Sequence, residues 1–500
     1  MSFAANLPLF SIVACLLSAA VTSLLRAKAA STVTKLLSAA VAVASIFVLA
    51  LGLKTGASTT YLMGHFPHPW GNELRFGILE PLLSGVFALV MLCCVIGGEQ
   101  ELSRDIVPGK RNYYYVMCDL ILAALLALLY TNDLFTGYVF IEICTIASCG
   151  ILMIRQIGRT TLAAVRYMIF SLIGSGLFLM GVIFLYAQTG HLLMPNLKQA
   201  VASVWANGSN RGALITGMCL ITVGLCVKSG LFPFHLWMPD TYGCATPCSS
   251  GILSGLVSKG YIFLLIRIIC CVFGTEVFYA SGLQNVLYVL GVAGMIIGSV
   301  SAMRENDIFQ MIAYSSAAQI GYIYMGIWIS PELGILAALF HILTHALTKP
   351  ALFLSASRLV SVSGGSKRFR DLQGAAHRNP TAGFAFTVAS FSMIGIPLTM
   401  GFISKYLFAL AAFRENSRLI PTLLALAVST VLNTYYFSRT LIRIYNTRDL
   451  KPFSAIRLRQ QPGYAFAALV LAAENIAGGV LTQPMIEFLR QGIALMGSAL

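Results

Sequence analysis

Charged residues are scarce in this chain. They make up 10% of its 500 residues, whereas hydrophobic residues make up 58%. A typical soluble domain carries about 25% charged residues, so the composition excludes an ordinary soluble globular protein. Acidic residues are the scarcer kind, 18 against 33 basic ones, which leaves a net charge of +15.

Motifs for metals and redox cofactors are also lacking. The 12 cysteines form no Cys-x-x-Cys pair, and most of them lie in apolar runs, where cysteine behaves as a small hydrophobic residue. Cys244 and Cys248 are close in sequence but have no second ligand pair nearby. With no haem, flavin or cluster motif, we expect no bound metal, no cofactor and no catalytic redox residues in this chain.

Long apolar runs dominate what is present. At roughly 20 residues per crossing, they predict about 14 transmembrane segments. The runs do not alternate in polarity as barrel strands do, so the fold class is an all-α polytopic membrane protein. Within it we expect N-terminal helices with an outside hairpin loop (residues 1–112) and, at the other end, a surface segment with the last crossing (442–500).

The basic residues follow the loops. With the amino terminus placed outside, basic residues in the inside loops exceed those outside by roughly three to one. This is the positive-inside pattern of a bilayer protein, so the net charge does not indicate nucleic acid. It predicts an inner membrane protein of a prokaryote with both termini outside. The first apolar run has no basic residue before it and no evident cleavage pattern, so we expect it to be retained.

Two crossings are interrupted by glycine and proline. The first interruption lies at 224–233, beside Lys228, and the second at 395–401, beside Lys405. A break at membrane depth is tolerated where protein or a wet cavity satisfies the freed carbonyls. Interrupted helices in both halves of a chain are a sequence sign of inverted-repeat transporters.

Ionisable side chains interrupt the apolar runs. A charge near the bilayer centre costs roughly 3 kcal/mol on insertion scales, and packing does not require one. Burial disfavours a charged lysine and a nearby carboxylate favours it, so a buried lysine can take up and release a proton. Arg267 is the exception, since arginine keeps its proton and is more typical of a helix-end anchor. The intramembrane set is Glu142, Lys228, Lys259, Arg267, Lys349 and Lys405.

His341, His345 and Lys349 are spaced four residues apart, which places them on one helix face. This stripe favours a proton relay over a structural polar stripe. A zinc site is a weaker alternative, because Ile342 stands where the glutamate of HExxH would be.

Other polar residues are secondary candidates. His235 and Asp240 lie in the tight loop between the helices of Lys228 and Lys259. Asp119 and Glu474 fall in apolar runs, where each is expected to be protonated or to face a neighbouring subunit.

Together the motifs resemble the antiporter-like membrane subunits of respiratory complex I, membrane-bound hydrogenases and Mrp-type sodium/proton antiporters. The resemblance covers about residues 60–440. It is carried by FIE at 140–142, VK at 227–228 with HLWMPD at 235–240, SGLVSKGY at 254–261, AYSSAAQIGY at 313–322, FHILTHALTK at 340–349 and PLTMGFISK at 397–405.

The resemblance implies fourteen helices with two inverted five-helix repeats (113–272 and 284–441) containing broken helices. It implies that Glu142 pairs with Lys228, that Lys259 is the central relay lysine, and that Lys405 ends the second half-channel. The histidine stripe and a lysine at position 405 resemble the Mrp D-type and hydrogenase-type branches. The chain departs from the family at ENDIFQ (305–310) and TPC (246–248).

The expected function is proton translocation within a multi-subunit membrane complex of the Mrp or hydrogenase kind. The expected partners are other antiporter-like and small helical subunits and, in some contexts, a redox arm, with protons and in some contexts Na⁺ as transported ions. Complex I is the first alternative. A subunit that couples energy to inorganic carbon uptake is another, and it would require a zinc-bearing cytoplasmic partner. A redox enzyme lacks its motifs, and a scaffold with an inactive relay is disfavoured by the intact lysines.

Overall fold

The chain folds into a bundle of membrane helices with one short β-hairpin. The computed structural model describes residues 3–66, 71–208, 210–447, 455–456 and 458–497. The elements in chain order are α1 (Leu7–Leu24), α2 (Ala27–Thr55), β1 (Thr59–Leu62), β2 (Glu73–Phe76), α3 (Leu79–Gly97), α4 (Glu99–Asp105), α5 (Arg111–Tyr130), α6 (Leu134–Met153), α7 (Gly158–Thr189), α8 (Met194–Asn207), α9 (Arg211–Ser229), α10 (Trp237–Cys244), α11 (Pro247–Ile252), α12 (Ser258–Ile268), α13 (Thr275–Ala280), α14 (Leu283–Arg304), α15 (Ile308–Ile329), α16 (Leu333–Ser361), α17 (Ala375–Arg378), α18 (Pro380–Ile394), α19 (Met400–Arg414), α20 (Leu419–Tyr445), α21 (Pro462–Val480) and α22 (Thr482–Leu495).

The helices account for the predicted crossings. Within the described residues, 12 helical stretches are long and apolar enough to cross a membrane. Two further predicted segments correspond to α15, which is 22 residues long, and to α18 with α19, which share one interrupted crossing. The predicted polytopic helical fold is confirmed. The inverted relation of the two five-helix units stays a prediction, as do the proposed unit boundaries.

Burial of the helices decreases from the centre of the bundle outward. The most apolar windows of Pro247–Phe273 and of α16 are wholly enclosed by protein, whereas those of α1, α2 and α20 are mostly exposed. Large apolar side chains such as Leu36, Ile46 and Val431 are exposed on these outer helices. In a bilayer such surfaces face lipid or other subunits, so the enclosed helices, which carry Lys259 and the histidine stripe, form the interior.

Both predicted interruptions are present. Helix α9 ends at Gly230, whose φ of 81° is left-handed, and α18 ends at Gly395, whose φ is 89°. Glycine takes this conformation without steric cost and so terminates helices. Each break places a lysine beside it, Lys228 in the last turn of α9 and Lys405 in the second turn of α19.

Two irregularities escaped the sequence reasoning. The stretch Pro247–Phe273 contains π-helical turns at Leu253–Val257 and Ile269–Phe273, and α16 contains Pro350 in its interior. Single π turns inside α-helices are frequent at functional sites, and the first of these immediately precedes Lys259. No residue pattern in the sequence distinguishes a π turn from regular helix.

Arg267 anchors one end of the bundle. Its guanidinium lies 3.7 Å from the Glu80 carboxylate and donates to the carbonyl oxygens of Leu129 and Arg75. These partners belong to α3, α5 and β2, so one buried side chain connects three elements. This agrees with the predicted anchor, although the sequence did not identify Glu80 as its partner.

The predicted loop hairpin and the carboxyl-terminal region are partly described. Strands β1 and β2 pair antiparallel with Thr59 opposite Phe76. Arg75 donates to the carbonyl of Leu495 at 2.8 Å, which ties the hairpin to the end of α22. Of the predicted surface segment between residue 442 and α21, residues 448–454 and 457 lie outside the described residues.

Candidate functional site

Lys228 and Glu142 meet at the first helix break. Lys228 Nζ lies 3.6 Å from Glu142 Oε1 on α6 and donates a hydrogen bond of 2.6 Å to Thr145 Oγ1, one turn further along that helix. The Lys228 side chain is fully buried, and that of Glu142 is 23% exposed. The structure therefore brings the predicted pair together, with the carboxylate at its more accessible end.

Lys259 lies deeper and has no carboxylate partner among the described residues. Its Nζ donates to the Ser254 carbonyl at 2.6 Å and to Ser258 Oγ at 3.1 Å, both from its own helical stretch. An ammonium has three donors, so these two acceptors leave one proton position unpaired. The site thus fits a lysine that exchanges its proton better than one held permanently charged.

The histidine stripe runs along α16 next to this lysine. The rings of His341 and His345 lie 6.3 Å apart, and His341 Nδ1 is 3.0 Å from Ser404 Oγ. Both ring nitrogens of buried His345 have no hydrogen-bond partner within the described ranges. Helix α12, which carries Lys259, packs against α16. A buried imidazole with both nitrogens available can accept a proton on one side and release it on the other.

Lys349 turns away from the histidines towards α15. Its Nζ donates to the Ile312 carbonyl at 3.0 Å and to Ser315 Oγ. The next residue on α15, Ser316, reaches the π turn, because its Oγ lies 2.9 Å from Ser254 Oγ. Ser254 accepts a hydrogen bond from Lys259, so it connects Lys259 to α15, the helix that accepts from Lys349.

Lys405 lies at the second break. Its Nζ donates to the Ile394 carbonyl at 2.6 Å and to Thr430 Oγ1 at 3.1 Å. Ile394 is the last residue of α18, so Lys405 satisfies a carbonyl that the break leaves free. The ammonium is also 5.7 Å from the Tyr322 ring, which stacks on His341 at 5.7 Å. Tyr322 therefore links the last lysine to the histidine stripe.

Helix α15 carries a polar stripe that sequence reasoning did not single out. Ser315, Gln319 and Tyr322 follow helical spacing, and all are buried. Ser315 contacts Lys349 and Tyr322 contacts His341, which sets α15 antiparallel to α16 and places Gln319 level with His345. Neither side-chain atom of the Gln319 amide has a partner in the described part of the chain. Buried amides are almost always hydrogen-bonded. Gln319 and His345 therefore mark a part of the interior where buried polar atoms have no hydrogen-bond partner among the described residues.

We expect Gln319→Leu to lower proton transport by roughly tenfold without loss of folding, because it removes the hydrogen-bonding group level with His345 at similar volume. The measurement is dye-detected proton flux in proteoliposomes of the complete complex. Gln310→Leu, the same change on the same helix outside the stripe, serves as the control. Wild-type flux in Gln319→Leu would exclude the amide from the path.

The secondary candidates lie apart from the line of titratable side chains that runs from Glu142 and Lys228 through Lys259 and the histidine stripe to Lys405. Asp240 forms an ion pair with Arg166 of α7, and buried His235 packs against Phe232 with ring centroids 5.6 Å apart. Asp119 accepts a 2.7 Å hydrogen bond from Ser18 between α1 and α5. Glu474 is exposed on α21. None of these contacts a lysine of the line within the described residues.

No group of three or more histidine, cysteine or acidic side chains in the described ranges could hold a metal ion. Cys248 donates to the Cys94 carbonyl at 3.0 Å and is buried among helices. The site consists of lysines, histidines, hydroxyls and one carboxylate, from Glu142 at one break to Lys405 at the other. These features define a polytopic membrane protein with an internal line of titratable side chains.

Comparison with known proteins identifies the family. The family model described as "NADH:quinone oxidoreductase/Mrp antiporter, TM" matches residues 131–432. This is more than half of the chain, which therefore belongs to that family. The match includes Glu142, Lys228, Lys259, the histidine stripe and Lys405, and it excludes Asp119 and Glu474.

Individual relatives are similar along most of their length. The chain is 34% identical over 418 residues to the NADH-quinone oxidoreductase subunit N of Desulforudis audaxviator, covering 82% of this chain and 80% of that protein. It is 26% identical to the D-type Na(+)/H(+) antiporter subunit of Alkalihalophilus pseudofirmus, covering 88% and 86%. Its fold matches a chain of the archaeal membrane-bound sulfane sulfur reductase, a respiratory membrane complex, with a TM-score of 0.88 at 24% identity, covering 99% and 98%.

Proposed function

We propose that this chain is the proton-translocating, antiporter-like subunit of a multi-subunit energy-converting membrane complex. Protons move between the Glu142–Lys228 pair, Lys259, the His341–His345–Lys349 stripe and Lys405. The observation that carries the proposal is the spatial order of these groups. They come from several helices, and Glu142 lies beside Lys228, whose ammonium faces the Tyr261 ring of the Lys259 helix. Ser254, which accepts from Lys259, contacts Ser316 on the helix that accepts from Lys349, and Tyr322 contacts both His341 and Lys405.

The proposed mechanism uses the charge of one group to change the proton affinity of its neighbour. When Glu142 is charged, it favours a charged Lys228. The Tyr261 ring is 5.8 Å from Lys228 Nζ, and Tyr261 lies two residues after Lys259 on the same helix. A proton that reaches Lys259 disfavours positive charge on His345 and Lys349, so a proton already held on one of these two residues moves on towards His341 and Lys405. Each transfer then displaces the next proton.

The complex in which this occurs has two candidates. The lysine at position 405 and the histidine stripe resemble the Mrp and hydrogenase branches, and the A. pseudofirmus relative supports a cation/proton antiporter module. The higher identity to the D. audaxviator relative supports a complex I context. Purification of the tagged chain from its native membrane distinguishes the two candidates. Companion antiporter subunits alone support the antiporter module, and a redox arm among the companions supports a respiratory complex.

The proposed location is the inner membrane of a prokaryote with both termini outside. The basic inside loops support this orientation, and cytoplasmic groups would then include Asp240 and Arg166. The Glu142–Lys228 pair and the Lys405 break would form the two ends of the internal path.

Lys405 provides the test, because it has two separable roles. As a relay group it must gain and lose a proton, and as a helix cap it must donate to the Ile394 carbonyl. Lys405→Ala removes both functions, whereas Lys405→Gln keeps a hydrogen-bond donor but cannot carry the proton. We expect both variants to lose net transport by roughly 100-fold or more in proteoliposomes of the assembled complex, while proton uptake as far as Lys259 persists.

The Gln variant decides between the roles. If Lys405→Gln transports protons normally and Lys405→Ala does not, Lys405 is a cap that holds the broken helix and the proposed path ends elsewhere. Lys198→Gln is the matched control, since Lys198 also donates to a backbone carbonyl, that of Gly497 at 2.8 Å, but on the surface.

A further inference from the structure

Glu474 is a carboxylate on the membrane-exposed face of a transmembrane helix. It lies in α21, about 18 Å from the first residue of the helix and about 9 Å from the last. Its side chain is exposed, and it makes no ion pair or hydrogen bond with any residue in the described ranges. A charged side chain at this depth against lipid costs roughly 3 kcal/mol or more.

Helix α21 cannot rotate to hide this carboxylate. About a quarter turn around the helix from Glu474, α21 is fixed to the bundle by a 2.8 Å hydrogen bond from Thr348 Oγ1 to Asn475 Oδ1. It is fixed again nearer its first residue, where the Arg358 guanidinium lies 4.9 Å from the ring of Tyr464. Since Asn475 directly follows Glu474, turning Glu474 inward would pull a buried amide out of its hydrogen bond.

The surface around Glu474 has the pattern of a helix-packing face. Phe466, Val470, Ala473 and Ala477 are exposed or half-exposed at spacings of four, three and four, the repeat that one helix presents to another. Glu474 follows Ala473 directly and so flanks this row, where charged groups pair between packed helices.

We propose that the Glu474 face of α21 binds a transmembrane helix of a different subunit, which presents a lysine or arginine side chain to Glu474. The apolar row alone would fit lipid chains equally well. The carboxylate distinguishes the two, because lipid chains offer no hydrogen-bond donor and a basic side chain supplies both the donor and the opposite charge. The surface lies outside the family-matched region, and the proposal concerns assembly and uses no group of the proposed relay.

The test compares Glu474→Leu and Glu474→Asp in the complete complex, purified through a tag on this chain. Glu474→Leu makes α21 more apolar, so failed membrane insertion would not explain a loss. We expect it to lower the yield of one companion subunit by roughly tenfold, with Glu474→Asp retaining that subunit. Glu487→Leu is the control, since Glu487 is an exposed glutamate of α22 that bonds Gln491 outside the crossings.

A photoreactive amino acid at position 473 identifies the occupant directly. The expected result is an adduct with one membrane helix of that companion subunit, within one turn of a lysine or arginine. Adducts with lipid alone, or with a second copy of this chain, would overturn the proposal, as would full assembly of Glu474→Leu. Proton transport need not change per assembled complex, so failure here is distinguishable from failure of the relay.

Discussion

Replacing Lys259 with arginine is expected to stop proton transport almost as completely as replacing it with alanine. The guanidinium keeps the positive charge and can still bond the Ser254 carbonyl and Ser258 Oγ, but it does not release its proton in proteins. We expect a loss of roughly 100-fold or more for Lys259→Ala and at least about tenfold for Lys259→Arg. The measurement is dye-detected proton flux in proteoliposomes of the complete complex.

The arginine variant is the informative one, because charge and hydrogen bonding are retained while proton exchange is lost. Lys198→Arg provides the matched control on the surface and should transport normally. Assembly should be checked by the yield of companion subunits, since a buried guanidinium is larger than an ammonium. Wild-type flux with Lys259→Arg would show that Lys259 acts through its charge or its packing and not by exchanging a proton.

Glu142→Gln is expected to abolish most of the transport while leaving the complex assembled. Glutamine keeps the shape of the side chain, and Lys228 remains bonded to Thr145 Oγ1, so the local packing is preserved. What is lost is the negative charge 3.6 Å from Lys228 Nζ, without which a buried ammonium is strongly disfavoured. We expect proton flux to fall by roughly tenfold or more, measured in the same proteoliposomes.

Two controls separate charge from hydrogen bonding. Thr145→Val removes the 2.6 Å hydrogen bond to Lys228 but keeps the carboxylate, and it should reduce flux less than Glu142→Gln does. Glu99→Gln makes the same chemical change in the Lys35–Glu99 pair, which is partly exposed, and should leave flux unchanged. Full transport by Glu142→Gln would remove the ion pair from the mechanism.

The intramembrane lysines could be found in the sequence because their cost is local. Lys228, Lys259, Lys349 and Lys405 stand in apolar runs, and the energy of placing a charge in hydrocarbon does not depend on which helices surround it. The spacing of His341, His345 and Lys349 likewise predicts a common face, because helix geometry alone fixes it. The structure places these groups in one interior as expected.

Their acceptors could not be found in this way. Ser315, Thr430 and Ser404 are ordinary small polar residues that occur throughout membrane helices, and their contacts to Lys349, Lys405 and His341 depend on how separate helices pack. Gln319 belongs to the motif at 313–322, but its position level with His345 follows from the antiparallel register of α15 and α16. The π turn before Lys259 has no sequence signature at all.

The sequence by itself determined that the chain crosses a membrane many times, where two of its helices break, and which charged residues lie inside. These properties follow from hydropathy, from the backbone restrictions of glycine and proline, and from the cost of burying charge, all of which act within one helix. The tertiary structure decided which lysine meets a carboxylate, that Asp240 pairs with Arg166 away from the line, and that Glu474 faces outward. Those outcomes depend on the packing of helices far apart in sequence, which is set by side-chain fit across the whole bundle and not by any one segment.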